Sequence, residues 1–122
     1  MDSFRQRQRR QAAESASQER ERLFRLLLPV IDNLERALKQ NGGSDLSLRQ
    51  GVELTYREFR RLMAAEGVTR VEAVGQPFDP NLHEALATQP GRGEPDRVVE
   101  EIEAGYRLKD TLLRPAKVVV AS

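Results

Sequence analysis

Leu23-Phe24-Arg25-Leu26-Leu27-Leu28-Pro29-Val30-Ile31-Asp32-Asn33-Leu34-Glu35-Arg36-Ala37-Leu38 decides the fold. Leu23, Leu27, Val30, Leu34 and Ala37 recur at alternating spacings of four and three, and Ala13, Ala16 and Arg20 carry the pattern upstream. That is a heptad seam, weak where alanine and arginine occupy it and strong from Leu23 on. Leu26, Ile31 and Leu38 widen the stripe, which predicts burial against more than one helix, as in a bundle.

Residues 1 to 40 hold no glycine and a single proline, Pro29, and are predicted to form one helix. At ~1.5 Å per residue it would be on the order of 60 Å long. No small module covers that length, so its N-terminal part must project or pair. Pro29 removes one helical hydrogen bond and crowds the carbonyl of Arg25, at roughly 3 kcal/mol. The seam stays in phase across it, which predicts a kink rather than an end. Asn41-Gly42-Gly43-Ser44-Asp45 turns the chain. Ser47 with Gln50 is a capping-box pattern, and Ser44 is an alternative cap. A second helix runs to about Glu66 and stops at Gly67. Its stripe is Leu48, Val52, Thr55, Phe59 and Leu62, with Tyr56 and Met63 beside it. Two such helices make an antiparallel hairpin, and two hairpins make a dimeric four-helix bundle. Leu23, Leu27, Val30, Leu34, Leu48, Val52, Phe59 and Leu62 are the expected dimerisation residues.

From Val68 the period changes. Val68 to Val74 is strand-like, and Leu82 to Ala87 reads as a short strand. Val98, Ile102, Ala104, Tyr106 and Leu108 alternate with Val99, Glu101, Glu103, Gly105 and Arg107, the pattern of one half-buried strand. Leu112 to Val120 is a last strand, where Pro115 predicts an edge or a bulge. The class is therefore α+β. Residues 1–66 form the helical dimerisation region, and residues 67–122 form a small, mostly antiparallel β domain. That domain, at about 55 residues, is near the lower limit for independent folding.

Composition narrows the function. Of 122 residues, 32% are charged and 5% aromatic, with no tryptophan, which suits helices burying a narrow stripe. No cysteine is present, so there is no disulfide, in keeping with a reducing compartment. No run approaches the ~20 apolar residues of a membrane span. A net charge of +1 gives little long-range steering. Arg5, Arg7, Arg9 and Arg10 crowd the N-terminus, but Glu14, Glu19 and Glu21 follow, and no aromatic series interleaves for base stacking.

No catalytic constellation is present. His83 is the only histidine; one imidazole without cysteine makes no transition-metal cage, and no nucleophile lies near it in sequence. Gly91-Arg92-Gly93 lacks the Lys-Ser/Thr of a phosphate loop. Glu100 and Glu101 fall on opposite faces of a strand and read as solvated. Binding features are stronger. In Gly75-Gln76-Pro77-Phe78-Asp79-Pro80-Asn81-Leu82-His83-Glu84-Ala85-Leu86, two prolines make a rigid loop that presents an exposed aromatic, Phe78. His83 is expected to fix that loop by a structural hydrogen bond. Arg36 lies on the helix flank, off the seam. Gly51 costs a helix about 1 kcal/mol against alanine, and reads either as close helix packing or as close approach of a partner.

Pro77 to Ala85 resembles the signature of the GrpE family, the nucleotide exchange factors of DnaK-type heat-shock chaperones. Leu27 to Leu38, Gly105-Tyr106-Arg107-Leu108, and Leu113-Arg114-Pro115-Ala116-Lys117-Val118-Val119-Val120 match in order, so the resemblance covers nearly the whole chain. It implies a cytoplasmic, non-enzymatic homodimer that binds the nucleotide-binding domain of such a chaperone and promotes ADP release. It implies no cofactor, no metal and no direct contact with nucleotide. It places Arg5, Arg7, Arg36 and Gly51 on or near the partner interface, together with Phe78, Pro80, Ile102 and Val120. The Phe4-Arg5-Gln6-Arg7 match is short. The family carries an acidic, flexible segment before this point, so the resemblance implies that one is missing ahead of residue 1. A second reading, a coiled-coil protein that binds nucleic acid through the arginine arm, explains the N-terminus but none of the proline-rich loop; strongly salt-dependent binding would mark it.

Overall fold

The computed structural model describes residues 2–40 and 45–122. Two helices, α1 (Asp2–Lys39) and α2 (Leu46–Ala65), precede six strands. These are β1 (Val68–Arg70), β2 (His83–Gln89), β3 (Val98–Glu103), β4 (Tyr106–Leu108), β5 (Thr111–Arg114) and β6 (Ala116–Ala121).

The helix α1 runs through Pro29, which lies on its exposed face. There the carbonyl that proline leaves unbonded can take water, so the helix need not end. Asp45 caps α2: its side chain accepts from the backbone N–H of Ser47 and Leu48 at 3.0 and 3.2 Å. The expected capping box of Ser47 and Gln50 is thus replaced by an aspartate at the preceding turn, and Ser44 lies outside the described residues. The guanidinium of Arg20 reaches Glu66 at 3.1 Å, and that of Arg49 donates to the Leu38 carbonyl at 2.6 Å. The helices are therefore antiparallel, as their stripes predict.

The wide stripe on α1 serves two purposes. Leu28 and Ile31 are 2% and 0% exposed, and pack with Met63, Val68, Ala104, Tyr106, Leu108 and Leu113. Phe24, Tyr56 and Phe59 close the edge of that core. Ile31 thus serves the β domain rather than a bundle, and Phe59, expected at the dimer seam, leans on this core as well. The seam residues Leu27 and Val30 remain 39% and 43% exposed. Leu23, Leu48 and Leu62 are also exposed, while Leu34 and Val52 are half-buried.

The strands form two small sheets. The first has order β1-β4-β5, all antiparallel, and covers the helices. The second has order β2-β6-β3, with β2 parallel and β3 antiparallel to β6. Its own core is Ala73, Val98, Ala116, Val118 and Val120, with Phe78 packed against it. Three expectations change here. The strand anticipated over Val68 to Val74 ends at Arg70, although Val71 and Ala73 stay buried beyond the ladder. The single strand anticipated from Val98 to Leu108 breaks at Ala104-Gly105 into β3 and β4, which belong to different sheets. The strand anticipated from Leu112 to Val120 likewise divides at Pro115 into β5 and β6. Pro115 stands in the gap between them, where its missing N–H removes no ladder bond, so β6 can be central rather than an edge.

Two of the three crossings between sheets meet. A Cβ on Gly105 would lie 2.4 Å from the Ala116 nitrogen and 2.9 Å from the Pro115 carbonyl carbon. Only hydrogen fits there, because backbone cannot swing aside as a flexible side chain can. Gly105→Ala is expected to destabilise the β domain by about 2–3 kcal/mol, the range of overpacked sites. Chemical denaturation followed by the tyrosine signal checks this; an unchanged midpoint contradicts it.

Candidate partner interface

The proline-rich loop is held by its backbone. The Phe78 N–H donates to the Asp96 carbonyl at 2.8 Å, and the Val98 N–H donates to Gln76 at 2.9 Å. The Asp79 N–H donates to His83 Nδ1 at 3.0 Å, while the Asp79 carboxylate accepts from the Asn81 N–H at 2.9 Å. The imidazole is therefore the buried post of the loop, the structural role expected of it. Accepting at Nδ1 places the proton of the neutral ring on Nε2.

Phe78 is not the free aromatic that two flanking prolines suggest. It is half-buried, with one face on the second-sheet core and its ring 5.9 Å from that of His83. Pro80 is exposed at the tip. Ile102 is 51% exposed, but Val120 is only 5% exposed and sits inside the second-sheet core. Val120 thus offers no surface: β6 is central, and Ala116, Val118 and Val120 belong to the second-sheet core. Arg5, Arg7 and Arg36 are exposed on α1. Gly51 faces open space, with nothing within 4 Å of a built Cβ. Close helix packing within the chain is therefore not what requires this glycine.

Arg36 and Ile102 come together. They line a groove of about 480 Å³ between the C-terminal half of α1 and the second sheet, with Leu86 and Lys117 on its walls. Phe78 and His83 border a separate hollow, and Arg70 lines both. Arg5, Arg7 and Gly51 lie in neither. Leu86, which sequence reading did not single out, is as exposed as Ile102. Its signal was present, as the one large apolar residue on β2 after His83.

Two arginines beneath the groove were also missed. Arg114 donates to both Asp32 carboxylate oxygens at 2.7 and 2.6 Å and to the Ala104 carbonyl at 2.8 Å. Arg70 donates to Glu35 at 2.9 Å and also to Glu101. Glu101 is therefore an ion-pair partner and not a solvated carboxylate. Burial disfavours the charge on Arg70, yet the hydrogen bonds and charges of Glu101 and Glu35 outweigh it and raise its pKa above the ordinary value. Arg114 is raised likewise, against burial, chiefly by Asp32. Burial pushes the Tyr106 hydroxyl up to about 12. Among the described residues no group of His, Asp and Glu could hold a metal ion, and no helix is long and apolar enough to cross a membrane.

Phe78→Ala is expected to cost the β domain about 2 kcal/mol, less than a fully buried phenylalanine because one face is open. It should leave the helices intact. Denaturant titration read by NMR of the β domain checks this; no shift in midpoint means that the ring rests on the core without supporting it.

The GrpE family model matches residues 1–122. The chain is 46% identical to "Protein GrpE" of Geobacillus thermodenitrificans over 98% of its length and 56% of that protein's. It is 43% identical to "Protein GrpE" of Parageobacillus thermoglucosidasius, over 98% of the chain and 55% of the relative. It is 44% identical to that of Caldanaerobacter subterraneus subsp. tengcongensis, over 98% and 59%. The chain thus spans a little over half the length of these curated relatives. With the whole of its described α+β architecture inside the matched stretch, the chain belongs to the GrpE family.

Proposed function

We propose that this chain is the dimeric, chaperone-binding portion of an adenyl-nucleotide exchange factor, a cytoplasmic co-chaperone that serves protein folding and the heat-stress response. Its partner is the nucleotide-binding domain of a DnaK-type chaperone. The observation that carries this reading is family membership over the full chain. The exposed seam of Leu23, Leu27 and Val30 supports the homodimer, since a lone hairpin would leave that apolar row in water. Leu34, Leu48, Val52 and Leu62 are assigned to the same interface in this reading.

The mechanism is binding rather than catalysis. The β domain presents the Pro77–Pro80 loop and the groove holding Arg36, Leu86 and Ile102. If these surfaces fit an open nucleotide-binding domain better than a closed one, their binding free energy is spent on opening it. ADP, which prefers the closed state, then loses affinity by the same factor. Nothing need touch the nucleotide. Arg5 and Arg7 on the projecting part of α1, and Gly51 on α2, would make peripheral contacts, with charge contributing mostly to encounter and register.

The test is release of labelled ADP from a DnaK-type chaperone. Saturating chain should speed release and weaken equilibrium ADP binding by about 5–150-fold, the usual span of allosteric coupling. Unchanged release at saturation contradicts the reading. Strong binding to DNA or RNA that falls steeply with salt would instead point to the arginine arm.

A further inference from the structure

The second sheet has its own core, and that core contains no helix residue. Leu28 and Ile31 of α1 and Met63 of α2 pack instead with the first sheet. Two arginines of the first sheet bridge this division. Arg114, at the end of β5, holds Asp32 of α1 with a bidentate fork. It also bonds the Ala104 carbonyl at the exit of β3, lies 3.5 Å from Glu103, and stacks 5.5 Å from the Tyr106 ring. Arg70, at the end of β1, holds Glu35 of α1 on one side and Glu101 of β3 on the other. Asp32 and Glu35 lie three residues apart, so they share one face of α1. Each arginine therefore ties together three bodies: the long helix, the first sheet and the second sheet.

These pairs differ from the other ion pairs of the chain. Both arginines and the Asp32, Glu35 and Glu101 carboxylates are 12–26% exposed, whereas pairs such as Arg57–Glu53 lie in water. A bidentate fork adds geometric specificity, and a sheltered ion pair often adds little net stability over well-packed apolar groups of similar volume.

We infer that Arg70 and Arg114 are positioning residues that lock the second sheet at a fixed angle to α1. The surface carrying Leu86, Ile102 and the Phe78 loop is thereby held in one orientation above Arg36. Without the lock the two hydrophobic cores persist, and the second sheet samples several orientations about the three crossings that join it to the first, residues 71–82, Ala104-Gly105 and Pro115. The functional consequence rests on the exchange-factor reading. If only a tenth of molecules hold the competent orientation, apparent affinity for the chaperone falls about tenfold while the maximal effect at saturation is kept.

The test uses the absence of native cysteine. Gln18→Cys and Thr88→Cys, both exposed, place spin labels on α1 and β2. The labelled chain is diluted into unlabelled chain, and the distance distribution within one chain is measured by pulsed electron resonance. The parent should give one narrow distribution. Arg70→Met with Arg114→Met should broaden it, and Arg70→Lys with Arg114→Lys should broaden it less, since the charge remains but the fork is lost. Asp32→Asn with Glu35→Gln removes the helix side with no change of shape, and serves if the methionine variant does not fold. In each folded variant the melting of both cores should be retained. Exchange assays should show about a tenfold higher half-saturating concentration and an unchanged plateau. A distribution as narrow as the parent's in the Asn/Gln variant overturns the lock. Failure of the parent to stimulate ADP release overturns the exchange reading instead, and leaves the distance result to stand alone.

Discussion

Everything in this chain depends on α1 being apolar on two faces at once. Phe24, Leu28 and Ile31 lie on one face and close the core that joins helices and first sheet. Leu23, Leu27 and Val30 lie on the other and are left to solvent in the single chain. A 38-residue helix has little of its own to hold it, since helical stability in proteins comes mostly from tertiary burial. Every described side chain from Ser3 to Arg20 is exposed, so the N-terminal half of α1 gains almost nothing from its own chain. The helix is therefore anchored at one end by the β domain, and its seam is left uncovered within the single chain.

That arrangement explains the shape of the β domain. A module of this size buries little apolar surface by itself, and here that surface is divided between two cores, one of which is completed by helix side chains. The first sheet borrows helix side chains, while the second closes on β6. The chain crosses between them three times, along residues 71–82, at Ala104-Gly105 and at Pro115, and the last two crossings touch. The loop around Phe78 then hangs from the second sheet, fixed by His83 and by bonds to Asp96 and Val98. The loop is rigid, so a partner would lose little in ordering it on docking.

Much of this was legible in the residues. The heptad seam, the antiparallel hairpin, the strand content and the role of His83 all follow from local pattern. What was not legible is long-range. Alternation from Val98 to Leu108 is unbroken in sequence, and nothing local says that Ala104-Gly105 changes sheets. Pro115 signalled an interruption, but an edge and a crossover both tolerate a missing N–H. Val120 was placed at the interface by the family resemblance, and the strand pattern around it does not tell a central strand from an outer one. Arg70 and Arg114 pair with Glu35 and Asp32 across 35 and 82 residues, and a charge spacing along the chain carries no trace of that.

The two-faced helix is tested most directly at neighbouring residues. Leu27 is 39% exposed on the seam, and Leu28 is 2% exposed in the core. Leu27→Asp and Leu28→Asp can be compared by sedimentation and by NMR of the β domain. The account predicts that Leu27→Asp yields a monomer whose β domain is intact, and that Leu28→Asp disrupts the packing of the first sheet on the helices. A Leu27→Asp protein that remains dimeric, or a Leu28→Asp protein whose β domain is unchanged, would contradict it.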